Sequence, residues 1–233
     1  MNRRPMKAPL PIFAIRPEPG LSATLAAARQ AGLDLEGVPL FEIRPVAWAA
    51  PDPAGVDALL LGSANALRHA GRAMEAFCAK PAYVVGDITA DAARQAGFTV
   101  APSGLGGLQQ VLDSLKGRNL RLLRLAGAEH VALVPPPGIT LDARIVYESV
   151  ALPLPASLAV RLREGGVVLL HSAAAARHFA RECERQNIAR RGIRLAVLGP
   201  RIAQEAGGGW AAVSPSAVPR ESALLALARD MCH

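Results

Sequence analysis

Aromatic side chains make up only 4% of this 233-residue chain, and cysteine occurs three times, at Cys78, Cys183 and Cys232. The cysteines are far apart, odd in number and form no C-x-x-C pair, so neither a disulfide framework nor a zinc site is indicated. A reducing cytoplasm fits that usage. No apolar run reaches the length needed to span a bilayer. Leu10–Ile15 is apolar but too short for a signal-peptide core; Arg16 interrupts it and no small-residue cleavage site follows the basic start Met1–Lys7. No dense run of lysine and arginine interleaves with aromatics, which argues against nucleic acid as partner. Ser103–Gly107 (S-G-L-G-G) is glycine-rich, yet it lacks both the six-residue spacing of a dinucleotide fingerprint and the Gly-Lys-Ser/Thr ending of a P-loop. A flavin or dinucleotide enzyme is disfavoured, and the stretch reads as a flexible approach to a helix over Leu108–Leu115.

What is present points to a globular α/β protein. Hydrophobic residues make up 51% of the chain, enough for packed cores, and 233 residues are long for one domain but comfortable for two. The net charge of +7 suits an anionic partner, although arginine- and alanine-rich base composition gives the same surplus.

The organising stretch is Val84–Phe98, V-V-G-D-I-T-A-D-A-A-R-Q-A-G-F. A short apolar strand from Tyr83 to Val85 turns at Gly86, Thr89 is placed to cap a helix through Ala96, and Gly97 stops it. Val197–Val213 echoes it: Gly86, Ala90 and Pro102 match Gly199, Ala203 and Pro215, each pair 113 residues apart. Upstream, Leu61–His69 (L-G-S-A-N-A-L-R-H) matches Leu170–His178 (L-H-S-A-A-A-A-R-H). Two strand–Ser–helix units each precede a strand–Gly–helix unit, so the chain reads as two similar α/β halves.

In chain order, Ile12–Ile15 is a buried strand, and Ser22 is placed to cap the helix behind it. Arg16 stands at the strand's carboxyl end, where open α/β sheets bind ligands; it suits a bidentate carboxylate, an ion pair with Glu18 or a solvated loop charge. Asp57–Leu61 is a core strand leading to Ser63 and Asn65, positioned to cap a helix or touch a ligand. Leu120–Leu125 and Val167–Leu170 are further core strands, and Arg220–Cys232 is a final helix with Leu224, Leu225, Leu227 and Ala228 inward. Leu35–Val46 and Ile139–Leu152 are long and extended. In the second, alternation puts Ile145, Tyr147 and Ser149 on one face and Val146, Glu148 and Val150 on the other. Two extended crossings make the first domain discontinuous: residues 1–37 with 152–233 form one domain, 44–144 the other, and 38–43 with 145–151 the linker strands.

Taken together and in order, I-R-P-E-P-G, L-L-L-G-S-A-N-A-L, V-V-G-D-I-T-A-D-A-A-R-Q-A-G-F, L-R-L-A-G, I-V-Y-E-S and L-L-H-S-A-A-A-A-R resemble the uroporphyrinogen-III synthase family over nearly the whole chain. The resemblance implies two parallel-sheet, flavodoxin-like α/β domains joined by a two-stranded extended linker. It implies a hydro-lyase of haem and porphyrin biosynthesis that cyclises linear hydroxymethylbilane to uroporphyrinogen III, inverting ring D and losing water. No metal or organic cofactor is expected. The partner is a small polycarboxylate tetrapyrrole, with transient contact to the preceding pathway enzyme; a cytoplasmic monomer is expected, engaging neither nucleic acid nor membrane. Tyr147 matches the family's linker-region tyrosine and is the candidate proton donor to the leaving hydroxyl. Arg16, Ser63, Asn65, Gly86, Thr89, Ser172 and Gly199 are the candidate substrate-binding residues. The family's second Gly-x-x-Thr-Ala motif reads Gly199-Pro200-Arg201-Ile202-Ala203 here, so Ile202 lacks the hydroxyl. Its usual Arg-Gly is Ala126-Gly127, with Arg124 two residues earlier. His171, without a ligand partner in sequence, reads as structural. The alternative is a non-catalytic two-domain module that binds a small anion.

Overall fold

The apolar runs punctuated by glycine and proline each become a strand with a helix behind it. The computed structural model describes residues 9–101 and 106–233. The basic start Met1–Lys7, Pro102 of the repeat and positions 103–105 of the glycine-rich stretch lie outside the described residues. In chain order come β1 (Ile12–Ala14), α1 (Gly20–Gln30), β2 (Glu36–Gly37), β3 (Phe41–Pro45), β4 (Ala58–Leu61) and α2 (Ala64–His69). Then follow β5 (Ala82–Val84), α3 (Asp87–Gln95), α4 (Leu108–Ser114), β6 (Leu120–Gly127), β7 (Ile139–Ala151) and α5 (Ala156–Arg163). The chain finishes with β8 (Gly166–Leu170), α6 (Ala173–Arg185), β9 (Ile193–Val197), α7 (Pro200–Ala206), β10 (Ala212–Pro215) and α8 (Glu221–Met231).

The chain divides into two compact units, Met1–Glu42 with Ala151–His233 and Ile43–Val150, called unit 1 and unit 2 below. Each centres on a five-stranded, largely parallel sheet, ordered β10-β9-β8-β1-β2 in unit 1 and β3-β7-β6-β4-β5 in the other. In unit 1, β1 pairs in parallel with β2 and β8, and β9 with β8 and β10. In unit 2, β4 pairs in parallel with β5 and β6, and β6 with β7.

Parallel sheets bury both faces, so most positions of their strands are apolar; Arg121 and Arg124 of β6 and Arg194 of β9 are exceptions. Alternate residues of unit 1 serve two cores. Phe13, Val168, Leu170 and Leu195 pack against Leu158, Leu162 and Phe179 of α5 and α6. Ile12, Val167 and Leu169 meet Ala28 of α1 and Leu224, Leu225 and Ala228 of α8, three of the four residues expected inward on that helix. Leu227, the fourth, is partly buried against the same cluster. Unit 2 repeats the plan: Leu59, Leu61, Leu123 and Leu125 pack on the α2 and α3 side, while Ala58, Leu60 and Leu122 meet Val111 and Leu112 of α4.

A side-chain clamp fixes the segment returning after β7. His178, Glu182 and Gln186 recur at intervals of four along α6 and its C-terminal cap, so they face one way. His178 Nε2 lies 2.7 Å from Leu152 O, Leu154 N–H donates to Glu182 Oε2 at 2.7 Å, and Gln186 Nε2 donates to Leu154 O at 2.6 Å. Arg185 also donates to Glu182 and, against the opposing effect of burial, holds its carboxyl down at about 2.

Candidate active site

Parallel strands deliver their carboxyl ends and the following helix N-termini to one edge of the sheet, where open α/β sheets bind ligands. In unit 2 that edge carries Ser63, two residues past β4, whose Oγ accepts the Asn65 N–H at 3.2 Å and caps α2. Asn65 Oδ1 accepts from Arg68 Nη1 at 3.2 Å. Gly86, two residues past β5, is the N-cap of α3 with φ of 81°, a left-handed conformation that favours glycine, and nothing stands within 4 Å of where a Cβ would project. Thr89 is not the cap expected from its sequence: the turn at Gly86 starts the helix earlier, leaving Thr89 buried in the first turn.

Tyr147 lies on β7 beside Gly127, the last residue of β6. The β6–β7 register shifts between Ala126 and Gly127. Such a bulge breaks the alternation of a strand, and the two-face assignment for this stretch is corrected accordingly. Val146 and Tyr147 both pack on the cluster of Leu61, Val84 and Leu125. The Tyr147 ring covers Gly127 closely: a Cβ there would lie 2.6 Å from Cε2, 2.7 Å from Cζ and 3.0 Å from the phenol oxygen. The ring of His69, last residue of α2, stands 6.3 Å from that of Tyr147, centroid to centroid. Burial, and then the Arg68 charge, lower the His69 pKa, which keeps this imidazole neutral at pH 7. His130 Nδ1 lies 2.9 Å from Gly127 O. Arg121, farther back on β6, is taken up by Asp57 at 2.9 Å, and this hydrogen bonding holds the Asp57 carboxyl at about 2.

The corresponding edge of unit 1 carries Arg16 after β1, Ser172 after β8 and Gly199 after β9. Arg16 folds back over the first turn of α1, and Gly20 makes room for it: a Cβ there would fall 2.5 Å from Arg16 Nε. Glu18 is not its partner. Glu18 accepts both the N–H and the hydroxyl of Ser22, at 3.0 and 2.9 Å, so Ser22 sits inside α1 and Glu18 supplies the cap assigned to it. Arg16 Nη1 instead donates to Glu221 Oε2 and Thr24 Oγ1, both at 3.3 Å. Thr24 Oγ1 donates to Glu221 Oε1 at 2.7 Å, and His171 Nε2 lies 3.1 and 3.2 Å from the two carboxylate oxygens. Burial acts to raise the Glu221 pKa, but the hydrogen bonds and charges of His171, Thr24 and Arg16 outweigh it and hold the carboxyl below its ordinary value. Ser172 Oγ accepts the Ala175 N–H at 3.1 Å and caps α6, while Gly199 caps α7 in extended conformation. A cavity of about 840 Å³, lined by Ile12, Leu33, Arg161 and Arg229 among others, opens near the start of β1, away from these strand ends.

The family model described as "Uroporphyrinogen-III synthase HemD" matches residues 22–226, most of the chain. The chain belongs to the uroporphyrinogen-III synthase family. Its activity is thereby that of a hydro-lyase in tetrapyrrole biosynthesis. The fold agrees. The crystal structure of uroporphyrinogen-III synthetase from Helicobacter pylori matches with a TM-score of 0.67 at 20% identity, covering 95% of this chain and 99% of that one. A mutant uroporphyrinogen III synthase from the extremely thermophilic bacterium Thermus thermophilus matches with a TM-score of 0.52 at 15% identity, covering 95% and 98%. Among curated proteins none matches the chain.

For a uroporphyrinogen-III synthase, the candidate residues fall into two sets. The edge of unit 2 gathers Ser63, Asn65, Gly86, Thr89 and Tyr147, and that of unit 1 carries Arg16, Ser172 and Gly199. Sequence reasoning missed Glu221 and Thr24, which engage Arg16, and the packing of His69 on Tyr147. A signal for His69 was present. It ends the Ser63–His69 stretch that repeats as Ser172–His178, and His178 likewise touches the extended chain, through Leu152. Among the described residues no helix is long and apolar enough to cross a membrane.

Proposed function

We propose that the chain cyclises hydroxymethylbilane to uroporphyrinogen III with Tyr147 as proton donor. The electron pair of the pyrrole nitrogen expels the hydroxyl, the phenol protonates it, and water leaves. A carbon–carbon bond from ring D to the methylene so exposed closes the macrocycle, and the proton ring D then loses returns to the phenolate. The electron-rich pyrrole supplies most of the driving force. The protein's share is positioning plus one proton. The observation that carries this reading is the Tyr147 hydroxyl. It stands at the strand-end edge over Gly127, and no described residue takes a hydrogen bond from it. Arg16, Ser63, Asn65, Gly86, Thr89, Ser172 and Gly199 bind the substrate in this reading, which the placement of their backbones at strand ends and in the first turns of the following helices supports. Several act through the main chain, since the Ser63 and Ser172 hydroxyls already cap helices. Supplying hydroxymethylbilane and separating the isomers tests the proposal: isomer III in excess over spontaneously formed isomer I is expected, and isomer I alone would end it.

We read both units as flavodoxin-like. The order β2-β1-β8-β9-β10 in unit 1, which is 2-1-3-4-5 counted along the unit, supports this. Residues 1–37 with 152–233 and 44–144 are the domains of this reading, with 38–43 and 145–151 as linker strands. The free thiols at Cys78, Cys183 and Cys232 support a cytoplasmic setting. The enzyme acts there as a monomer and receives the polycarboxylate tetrapyrrole through transient contact with the preceding pathway enzyme.

Gly127→Ala tests the seat of the tyrosine. The added methyl displaces the ring, and a shift of about 1 Å in a catalytic group costs up to about 10²-fold; because Tyr147 is only partly buried and its ring swings aside, about a tenfold fall in kcat with little change in Tm is expected. In a Tyr147→Ala background the same change should add no further loss. Equal losses in both backgrounds would show that Gly127 acts independently of Tyr147.

A further inference from the structure

Arg124 is the fifth of the eight residues of β6, paired in the sheet with Leu60, the last residue but one of β4, on one side and with Ala143 on the other. It is 5% exposed. Nη1 donates to Val131 O at 2.8 Å, while Nε is buried without a hydrogen-bond partner. Burial lowers its pKa, and no carboxylate is among the groups that act against that shift. A buried guanidinium with no anion beside it is costly, because its charge is largely removed from water, Nε has no partner and the one hydrogen bond it makes is to a neutral carbonyl. The cost calls for a counterion, and no Asp or Glu among the described residues fills that place.

The location narrows what that counterion is. In unit 2, after the edge strand β3, the chain lays down β4, then β5 on one side of it and β6 on the other, so the strand order reverses between β4 and β6. Crevices for ligands open at such a reversal, outside the carboxyl ends of the strands. Arg124 lies level with the last residue but one of β4, three residues before the end of β6, and Tyr147 lies on the neighbouring strand beside Gly127. We propose that Arg124 is the carboxylate receptor of unit 2, taking one side-chain carboxylate of the tetrapyrrole while Tyr147 faces the departing hydroxyl. This rests on the synthase reading above and adds a specificity residue to it. The planar fork suits a carboxylate bidentately, and the loop held through Val131 O forms one side of the seat.

Arg124→Met and Arg124→Lys, assayed for isomer III formation and for binding of uroporphyrin III, test this. The methionine fills similar volume without charge. Loss of a charge-assisted hydrogen bond predicts a KM and a Kd raised about tenfold with kcat largely kept, and lysine restores part of the difference. The Kd of the wild type should also climb more steeply with salt than that of Arg124→Met. The unliganded methionine variant should melt at or above the wild-type temperature, since an uncompensated buried charge has gone. An unchanged KM overturns the proposal, whatever the melting temperature does, and leaves Arg124 as an anchor for the Val131 loop. A fall in kcat at constant KM overturns it as well. Should Arg124→Met fail to fold, Arg124→Lys decides alone: a severalfold rise in KM supports the receptor and wild-type KM removes it. A wild type that forms no isomer III defeats the synthase reading itself, whereas an active wild type beside an unaffected Arg124→Met defeats only the receptor.

Discussion

Tyr147→Phe is expected to lower isomer III formation by about 10²-fold while leaving product binding and melting temperature near those of the wild type. The substitution removes one oxygen and keeps the ring that packs over Gly127 and beside His69. General acid catalysis contributes about 10²–10⁴-fold, and the low end applies because the electron-rich pyrrole expels its hydroxyl with little help. Stability should hold because no described residue depends on the phenol hydrogen bond. A core tyrosine gives the reverse pattern, in which the melting temperature falls and the folded fraction keeps full activity. Measuring both quantities on the one variant separates the two, and undiminished turnover would remove Tyr147 from the chemistry.

The second large effect concerns stability. Glu221 collects hydrogen bonds from Arg16, Thr24 and His171, groups separated from it by up to 205 residues of chain. Glu221→Gln keeps the shape but turns one acceptor oxygen into an NH2 that faces the Arg16 and His171 donors. Leaving such groups unsatisfied costs about 1–3 kcal/mol each, so a loss of about 2–3 kcal/mol is expected in urea unfolding at pH 7. The pH dependence has a definite sign. The Glu221 carboxyl is held below its ordinary value in the folded chain. Its stabilisation is therefore complete above the unfolded value and fades as pH falls through the folded one. The gap between wild type and Glu221→Gln should be widest at neutral pH and narrow in acid. A gap that stays constant down to acid pH would mean that the charge of Glu221 contributes nothing to the network.

What could be read from the sequence, and what could not, follows the range of the interactions. Strands β1, β4 and β8 are legible because a strand buried on both faces is apolar residue after residue, as Ala58–Leu61 and Gly166–Leu170 are. Ser63 and Ser172 showed themselves as caps because capping is settled within three residues. The start of α1 escaped for a related reason. Either Glu18 or Ser22 can satisfy the first-turn amides, and only the fold of Arg16 over Gly20 settles which does. The bulge at Ala126/Gly127 depends on pairing between two strands, and periodicity within β7 carries no trace of it. Glu221 opens α8, and two of its partners, Arg16 and Thr24, arrive from the other end of the chain, out of reach of any local pattern. Arg124 lay in plain view, but its lack of a counterion is a property of the folded surroundings alone.

The close seat of Tyr147 on Gly127 also shapes how this sequence can change over generations. While the ring is present, any side chain at position 127 meets Cε2 and Cζ, so glycine is expected to be kept there. A lineage that first loses the aromatic ring is released from that constraint, and position 127 then drifts to whatever the sheet tolerates. Once a side chain has settled there, restoring tyrosine at 147 no longer restores the site, because two substitutions are needed and the first brings no benefit. The contact works as a ratchet: the phenol is easily lost and hard to regain, and among divergent relatives the pair Gly127 and Tyr147 should be kept or abandoned together.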